Sequence, residues 1–231
     1  EVTILTMGPQ KAADIIREGY YRGVDNGIMI SDRRFGGADT LATSYTIVQG
    51  IKKIADYDLI LGGRQAIHGD TAQVGPQCAD KLNIPQVTYV EEILEITAIG
   101  IIAKRRLEKG IETVSAPFPC LITVHGSSPK CRSRHAKNVM KYKYARSKTE
   151  LRSADELLLS LHEKRPFLTI PEWSVEDIEA DVEKIGLAGS PTKVKSVESI
   201  VLTASEAKVL SSSNADIEGM IKELIEHHTI G

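Results

Sequence analysis

Residues 58–61, Asp-Leu-Ile-Leu, form a short apolar run that stops at Gly62 and Gly63, and a helix-forming segment follows a polar passage. An apolar run of this length, with little alternation, fits a strand buried on both faces of a parallel sheet. The preceding chain repeats that grammar. Val2–Met7 reads as a strand. Pro9 suits the first position of a helix that runs to Tyr21, with Ala12, Ile15, Ile16 and Gly19 on its buried side. Gly27–Ile30 is a second strand. Gly36, Gly37 and Ala38 then lead into Asp39, Thr40 and a helix whose apolar positions Leu41, Tyr45, Val48, Ile51 and Ala55 keep the 3.6-residue period. Strand, helix, strand, helix, strand predicts an α/β fold with a Rossmann-like parallel sheet covered by helices.

Beyond a helix expected over residues 71–82, the pattern changes. Gln86–Val90, Ile99–Arg106, Ile111–Ser115 and Cys120–Val124 read as strands, either an antiparallel extension or a last strand of the main sheet. From Gly126 the chain turns polar, with a basic stretch KCRSRHAK at 130–137 that forms a solvated face or a contact surface for a partner or an anionic cofactor. Short helices are expected over 153–162 and 174–184. Ser174 is placed to cap the second, although Asp177 stands where a full capping box has Glu or Gln. Gly186–Pro191 reads as a turn-rich linker. Residues 214–227 form an amphipathic helix with Ile217, Met220, Ile221, Leu224 and Ile225 on one stripe, which must fold back on the chain or reach a second subunit.

Composition removes several function classes. Against 31 Asp and Glu stand 29 Lys and Arg, so nothing supports a general nucleic-acid binder. There is no apolar run of 18 residues and no secretory leader, and the cytoplasm is the expected compartment. Cys78, Cys120 and Cys131 have no metal spacing, no His-Glu-x-x-His pattern occurs, and neither a metal site nor a disulfide framework is expected. Packing accounts for Cys78 and Cys120. His227 and His228 suit a charged helix end. The chain enters a strand directly at Glu1, which fits the covered portion of a longer protein.

The passage GGRQAIHGDTAQVG at 62–75 carries the chemistry. The first N–H groups of a helix lack intrahelical acceptors, and a phosphate can supply one. Gly62 and Gly69 let the backbone bend or approach a ligand without a Cβ clash. Thr71 and Gln73 add neutral donors, and Asp70 serves as helix cap or as acceptor for a ribose hydroxyl. A tight turn and a cap with no ligand is the competing account. Polar residues crowding the carboxyl end of a strand weigh against it, because open α/β sheets bind ligands there. The second glycine-to-helix passage, 36–45, is positioned to line the same crevice. Neither passage is a dinucleotide fingerprint or a triphosphate-hydrolysing loop.

Four blocks, GADTLATSY at 37–45, DLILGGRQAIHGDTAQVGPQ at 58–77, IPQVTYV at 84–90 and GLAGSPTKV at 186–194, resemble the beta subunit of electron transfer flavoprotein. The resemblance implies an adenine-nucleotide hydrolase-like α/β fold, with an antiparallel extension and a C-terminal helix. It also implies an upstream first strand and nucleotide loop in the family, and an alpha subunit carrying one FAD. Simpler members hold a structural AMP in the beta subunit; electron-bifurcating members hold a second FAD, and GDTAQVG is similar to that type. By this match Asp70, Thr71, Gln73 and Val74 surround the phosphates within the turn at Gly69. Gly62 and Ala66 lie near the adenosine, and Asp39, Thr40 and Thr43 line the flavin side. Arg64 stabilises an anionic flavin or phosphate, or simply pairs with a carboxylate. The implied organisation is a nucleotide-binding core over 1–145, an extension and linker over 146–192, and an arm and helix over 193–231 against the alpha subunit.

In the bifurcating reading NADH reduces the beta-bound FAD, one electron passes to ferredoxin or flavodoxin, and the other passes through the alpha-bound FAD to a dehydrogenase. The alternatives are a non-bifurcating beta subunit with AMP and a nucleotide-responsive binding protein. Two departures stand out. His68 replaces the family's usual aspartate. The stretch 132–141 resembles the dehydrogenase-recognition loop through Asn138, Val139, Met140 and Lys141, and Arg132 opens it; Ala136 stands where the family has an anchoring leucine and Lys137 where it has proline. Docking in the usual pocket is thereby weakened, which leaves room for a contribution from the added stretch around Leu151–Phe167.

Overall fold

The computed structural model describes residues 1–67, 69–193 and 209–226. Glu1–Lys193 form one unit and Val194–Gly231 a second. In the first, the parallel elements are β1 (Thr3–Met7), α1 (Ala13–Tyr21), β2 (Asn26–Ile30), α2 (Thr40–Ile54), β3 (Leu59–Gly63) and α3 (Val74–Leu82). They are followed by β4 (Gln86–Ile96), β5 (Gly100–Leu107), β6 (Gly110–Pro117) and β7 (Cys120–Val124). Then come α4 (Ala136–Tyr142), β8 (Arg146–Ser147), α5 (Lys148–Leu151), α6 (Glu156–Lys164), β9 (Thr169–Ile170) and β10 (Glu172–Trp173). The second unit contains α7 (Asn214–Glu226), with its apolar stripe at Ile217, Met220, Ile221, Leu224 and Ile225.

The strands fall into a parallel sheet β1-β2-β10, a mixed sheet β3-β7-β4-β5-β6 and a two-stranded parallel pair β8-β9. The expected parallel sheet is divided, with β3 in a different sheet from β1 and β2, and the later strands take both a parallel and an antiparallel role in the sheet of β3. Strand β7 joins β3 in parallel, β4 joins β7 in parallel, and β5 and β6 extend the sheet antiparallel. Helices α2 and α3 pack together; α2 rests on the first sheet, where a Cβ at Gly50 would meet Ile30 and Leu5, and α3 rests on β7. Val48, Cys78, Ala79 and Leu121 form the cluster between them. On the first sheet Ala13, Ile16 and Tyr20 of α1 pack on Met29 with Leu168 and Ile170, so residues beyond 146 complete that core.

Three local expectations are corrected. The buried stripe of α1 is Ala13, Ile16 and Tyr20, whereas Ile15 is 57% exposed, because the first turn is a tighter 3-10 turn that rotates the helix face. Residues 174–184 form turns and a single 3-10 turn, not a helix. Ser174 and Asp177 do make a reciprocal pair of capping bonds, but Glu179 at φ 51 leaves helical space and ends propagation. Helix α3 begins at Val74, not near Thr71, since Asp70 and Ala72 adopt positive φ.

A bulge interrupts β4. Val87 pairs with Ile122 and Val90 with Val124, which leaves one extra residue, and Tyr89 lies at φ 58. A bulky side chain in that region costs roughly 1–3 kcal/mol. The Tyr89 N–H is satisfied by the Thr123 hydroxyl oxygen at 3.1 Å.

Candidate functional site

The start of α2 is built around Asp39. Its carboxylate accepts from the Leu41 and Ala42 N–H groups, 2.9 and 3.0 Å, which caps the helix. Its other oxygen accepts from Thr192 N–H at 3.1 Å. Burial raises the Asp39 pKa, but the bonds from Ala42, Thr192 and Leu41 outweigh it and hold the carboxyl below its ordinary range. Asp39 N–H donates to Ser190 Oγ at 2.8 Å, and Ser190 donates to Gly186 O at 2.6 Å. The block at 186–192 therefore seats the start of α2. Asp39 is committed to structure on every polar atom described.

Thr40 brings the two glycine-rich passages together. Its hydroxyl donates to Gln73 Oε1 at 2.9 Å, and one turn further along Ser44 Oγ lies 2.9 Å from Gln77 Oε1. The starts of α2 and α3 thus stand side by side. Thr43 is half-buried within the first turn of α2.

In the passage itself Gly62 and Gly63 are the last residues of β3, and Ala66 O accepts the Asp70 N–H at 3.0 Å, closing a turn. Asp70 takes a bond from Gln65, so it braces the loop and does not cap α3; Gln73 occupies the capping position and spends its side chain on Thr40. Val74 and Gly75 supply the open N–H groups of the first turn of α3, and Pro76 supplies none, which makes the donor set smaller than a generic helix start. Thr71 is exposed and its hydroxyl has no partner among the described residues. Arg64 bonds Gln65 and has no ion pair with a described carboxylate, so among those residues nothing supports its purely structural pairing. His68 lies outside the described residues.

The glycines divide into two kinds. At Gly75 a Cβ would stand 2.7 Å from Thr123 Cγ2, so close packing of α3 on β7 requires glycine there. At Gly63 and Gly69 a Cβ would meet nothing within 4 Å, and at Gly62 only Ile122 O at 3.8 Å; none of the three has positive φ. The fold alone makes no demand for glycine at these positions. They leave open space beside two helix starts, where a ligand's phosphates can approach the backbone.

The residues of the recognition-like stretch lie elsewhere, Arg132 ahead of α4 and the others on α4, which packs on α1. Asn138 and Val139 are half-buried, whereas Arg132, Ala136, Lys137 and Met140 are exposed, Met140 to 64%. The stretch between α5 and β9 supports this helix, since Phe167 meets Tyr142 edge-on at 6.0 Å and Lys141 Nζ lies over both rings. The structural partners Ser190 and Thr192 were legible only as a sequence block, not as groups that hold Asp39.

No described helix is long and apolar enough to cross a membrane. The profile of the electron transfer flavoprotein domain matches residues 1–149. The electron transfer flavoprotein subunit beta of Clostridium acetobutylicum is 40% identical over 84% of this chain and 65% of its own length. Subunit CarD of the caffeyl-CoA reductase-Etf complex of Acetobacterium woodii is 40% identical, again over 84% of this chain and 65% of its own. Protein FixA of Azorhizobium caulinodans is 35% identical over 98% of this chain and 75% of its own. The chain thus spans about two thirds of the length of the first two of these relatives. These matches show that the chain belongs to the electron transfer flavoprotein family, among its beta subunits.

Proposed function

We propose that this chain is the beta subunit of a heterodimeric electron transfer flavoprotein that holds FAD at residues 62–74. In this reading it takes part in NADH-dependent electron bifurcation to ferredoxin or flavodoxin and to a dehydrogenase. The observation that carries the reading is the cradle at Gly62, Gly63 and Gly69, where the fold leaves space that its own packing does not require. The relation to a subunit of a caffeyl-CoA reductase-Etf complex supports a place in a flavin-linked assembly. Bound FAD supplies the capacity to take electrons as a pair and release them singly, which no side chain offers.

The chain's own contribution is binding and orientation. The Val74 and Gly75 N–H groups and the Thr71 hydroxyl donate to phosphate oxygens, and Arg64 adds a positive charge that no described carboxylate pairs. The Thr40–Gln73 and Ser44–Gln77 contacts hold the two sides of the cradle at fixed separation. An alpha subunit carrying the second FAD, and a dehydrogenase that meets the exposed face of α4, complete the assembly. Met140, one turn beyond Ala136, offers the apolar contact that Ala136 lacks.

The test is a cofactor count on the denatured, freshly purified heterodimer. Two FAD are expected; one FAD with one AMP refutes the bifurcating reading, and no flavin with no alpha partner favours a nucleotide-responsive binding protein. Thr71→Val removes one hydrogen bond to a charged group, about 1.5–3 kcal/mol. Nucleotide affinity at this site should fall roughly 10- to 100-fold, and unchanged occupancy rejects the role given to Thr71.

A further inference from the structure

The bulge in β4 places Tyr89 beside the glycine cradle. Thr123, which accepts the Tyr89 N–H, is the same residue on which Gly75 of α3 rests. One buried threonine therefore sets both the helix start and the tyrosine. The Tyr89 ring is half-buried and lies edge-on to His125, with centroids 6.3 Å apart and planes at 72°. The Arg64 guanidinium stands 5.8 Å from the Tyr89 centroid. Arg64 follows β3, its N–H donating to Val124 O, and His125 follows β7, its N–H donating to Val90 O. Arg64 and His125 thus stand at the carboxyl ends of β3 and β7, and Tyr89 stands beside them at the bulge where the parallel pairing of β4 with β7 ends. From Arg64 a line of hydrogen bonds runs through Gln65 to Asp70. His125 Nδ1 lies 2.8 Å from Ser127 Oγ, Ser127 donates to the buried Glu91, and Glu91 also takes Arg106, so His125 is pinned.

We propose that Tyr89, with Arg64 and His125, forms the ring-binding wall of this site and selects a planar, carbonyl-bearing heteroaromatic ring, the isoalloxazine of FAD, over adenine alone. The inference rests on the reading of the cradle as a FAD site and adds a specificity residue to it. Two of the wall residues bring donors, the Arg64 fork without a described carboxylate and the His125 ring, while Tyr89 brings its aromatic face. Donors match the carbonyl edge of an isoalloxazine, whereas adenine has no carbonyl and directs an amino donor of its own. The tyrosine face stacks on the ring, and the cation over its other side strengthens the wall.

The test uses the assembled heterodimer, wild type and Tyr89→Leu, with FAD and AMP titrated separately into protein stripped of its beta-site nucleotide. Tyr89→Leu should weaken FAD roughly tenfold, a typical loss for one aromatic stacking partner, and change AMP less than twofold. Emission from the second flavin equivalent should rise as tyrosine quenching is lost. Tyr89→Phe, which keeps the ring, should retain the quenching and most of the affinity. Parallel loss of FAD and AMP in both variants overturns the proposal, because it marks a residue that only supports the fold. Unchanged FAD affinity and emission in Tyr89→Leu also overturn it, and if Thr71→Val still lowers FAD binding the cradle reading survives. A wild-type site that takes AMP and refuses FAD refutes both.

Discussion

Ser190→Ala probes the contact that ties the 186–192 block to α2. Ser190 is 3% exposed and its hydroxyl makes two bonds, one accepted from Asp39 N–H at 2.8 Å and one donated to Gly186 O at 2.6 Å. Alanine leaves both backbone groups without a partner. A buried orphan costs about 1–3 kcal/mol, and because Asp39 is half-buried its N–H recovers part of that from solvent. A loss of about 2–3 kcal/mol follows. The turn itself should persist, since Gly186 at φ 50 sits against Arg34 O and Gly189 against Lys184 so closely that a Cβ would lie 2.0 and 2.1 Å from backbone atoms. The effect is therefore on stability and not on fold. Trp173, the one tryptophan of the chain, packs on the cluster that contains Ile185 and reports locally on this turn. In urea, with a slope of about 1–3 kcal/mol per molar, the fluorescence midpoint should fall by about 1 M. A midpoint that moves by less than about 0.2 M refutes the assignment of Ser190 as the link.

Thr123→Val should destabilise by about 1–2 kcal/mol by orphaning the strained Tyr89 N–H, while Thr123→Ser keeps the acceptor; equal urea midpoints for Val and wild type would contradict this. Native protein should expose one fast thiol of three to an aromatic disulfide reagent. Cys131 is exposed, whereas burial raises the thiol pKa of Cys78, to about 11, and of Cys120; more than one fast thiol counts against the packing. The Arg34 guanidinium holds Asp32 at about 2, below its ordinary 3.8, and Glu176 at about 2. Both folded values lie below the unfolded ones, so this contribution to stability is present above about pH 4 and is lost as pH falls toward 2. Arg34→Gln should return the Asp32 carboxyl toward 3.8 in an NMR titration, and an unshifted curve would refute the pairing.

The parallel elements were legible because buried strands and helices carry distinct periods. The expected strand Cys120–Val124 is β7 residue for residue, and Asp39 caps α2 as its position before an apolar-periodic segment demands. Boundaries set by backbone dihedrals were not legible. Nothing in the composition of residues 70–73 announces positive φ at Asp70 and Ala72, and this delays α3 to Val74. At 174–177 the local signal was correct and insufficient: the capping bonds form, but a short turn held by Ala180 N–H to Val175 O competes successfully with helix propagation.

The site was legible as two helix starts but not as one crevice, for a definite reason. Helical periodicity gives the rotation of each helix about its own axis relative to an apolar core, and says nothing about a polar seam between two helices. On α2 the apolar stripe begins at Leu41, which is 42% exposed, while Ser44 and Thr46 are fully buried. Thr46 satisfies itself on Ala42 O, but Thr40 and Ser44, one turn apart, meet Gln73 and Gln77, also one turn apart. Two helices joined through pairs with the same spacing of 33 residues are fixed in axial register as well as in distance. Apolar packing alone tolerates sliding along such a seam, because methyl groups exchange partners with little loss; hydroxyl-to-amide pairs do not. The register brings the capped start of α2 to the open start of α3. The cradle's two walls are thus held by the least hydrophobic part of their interface, which is why apolar patterning could not show it.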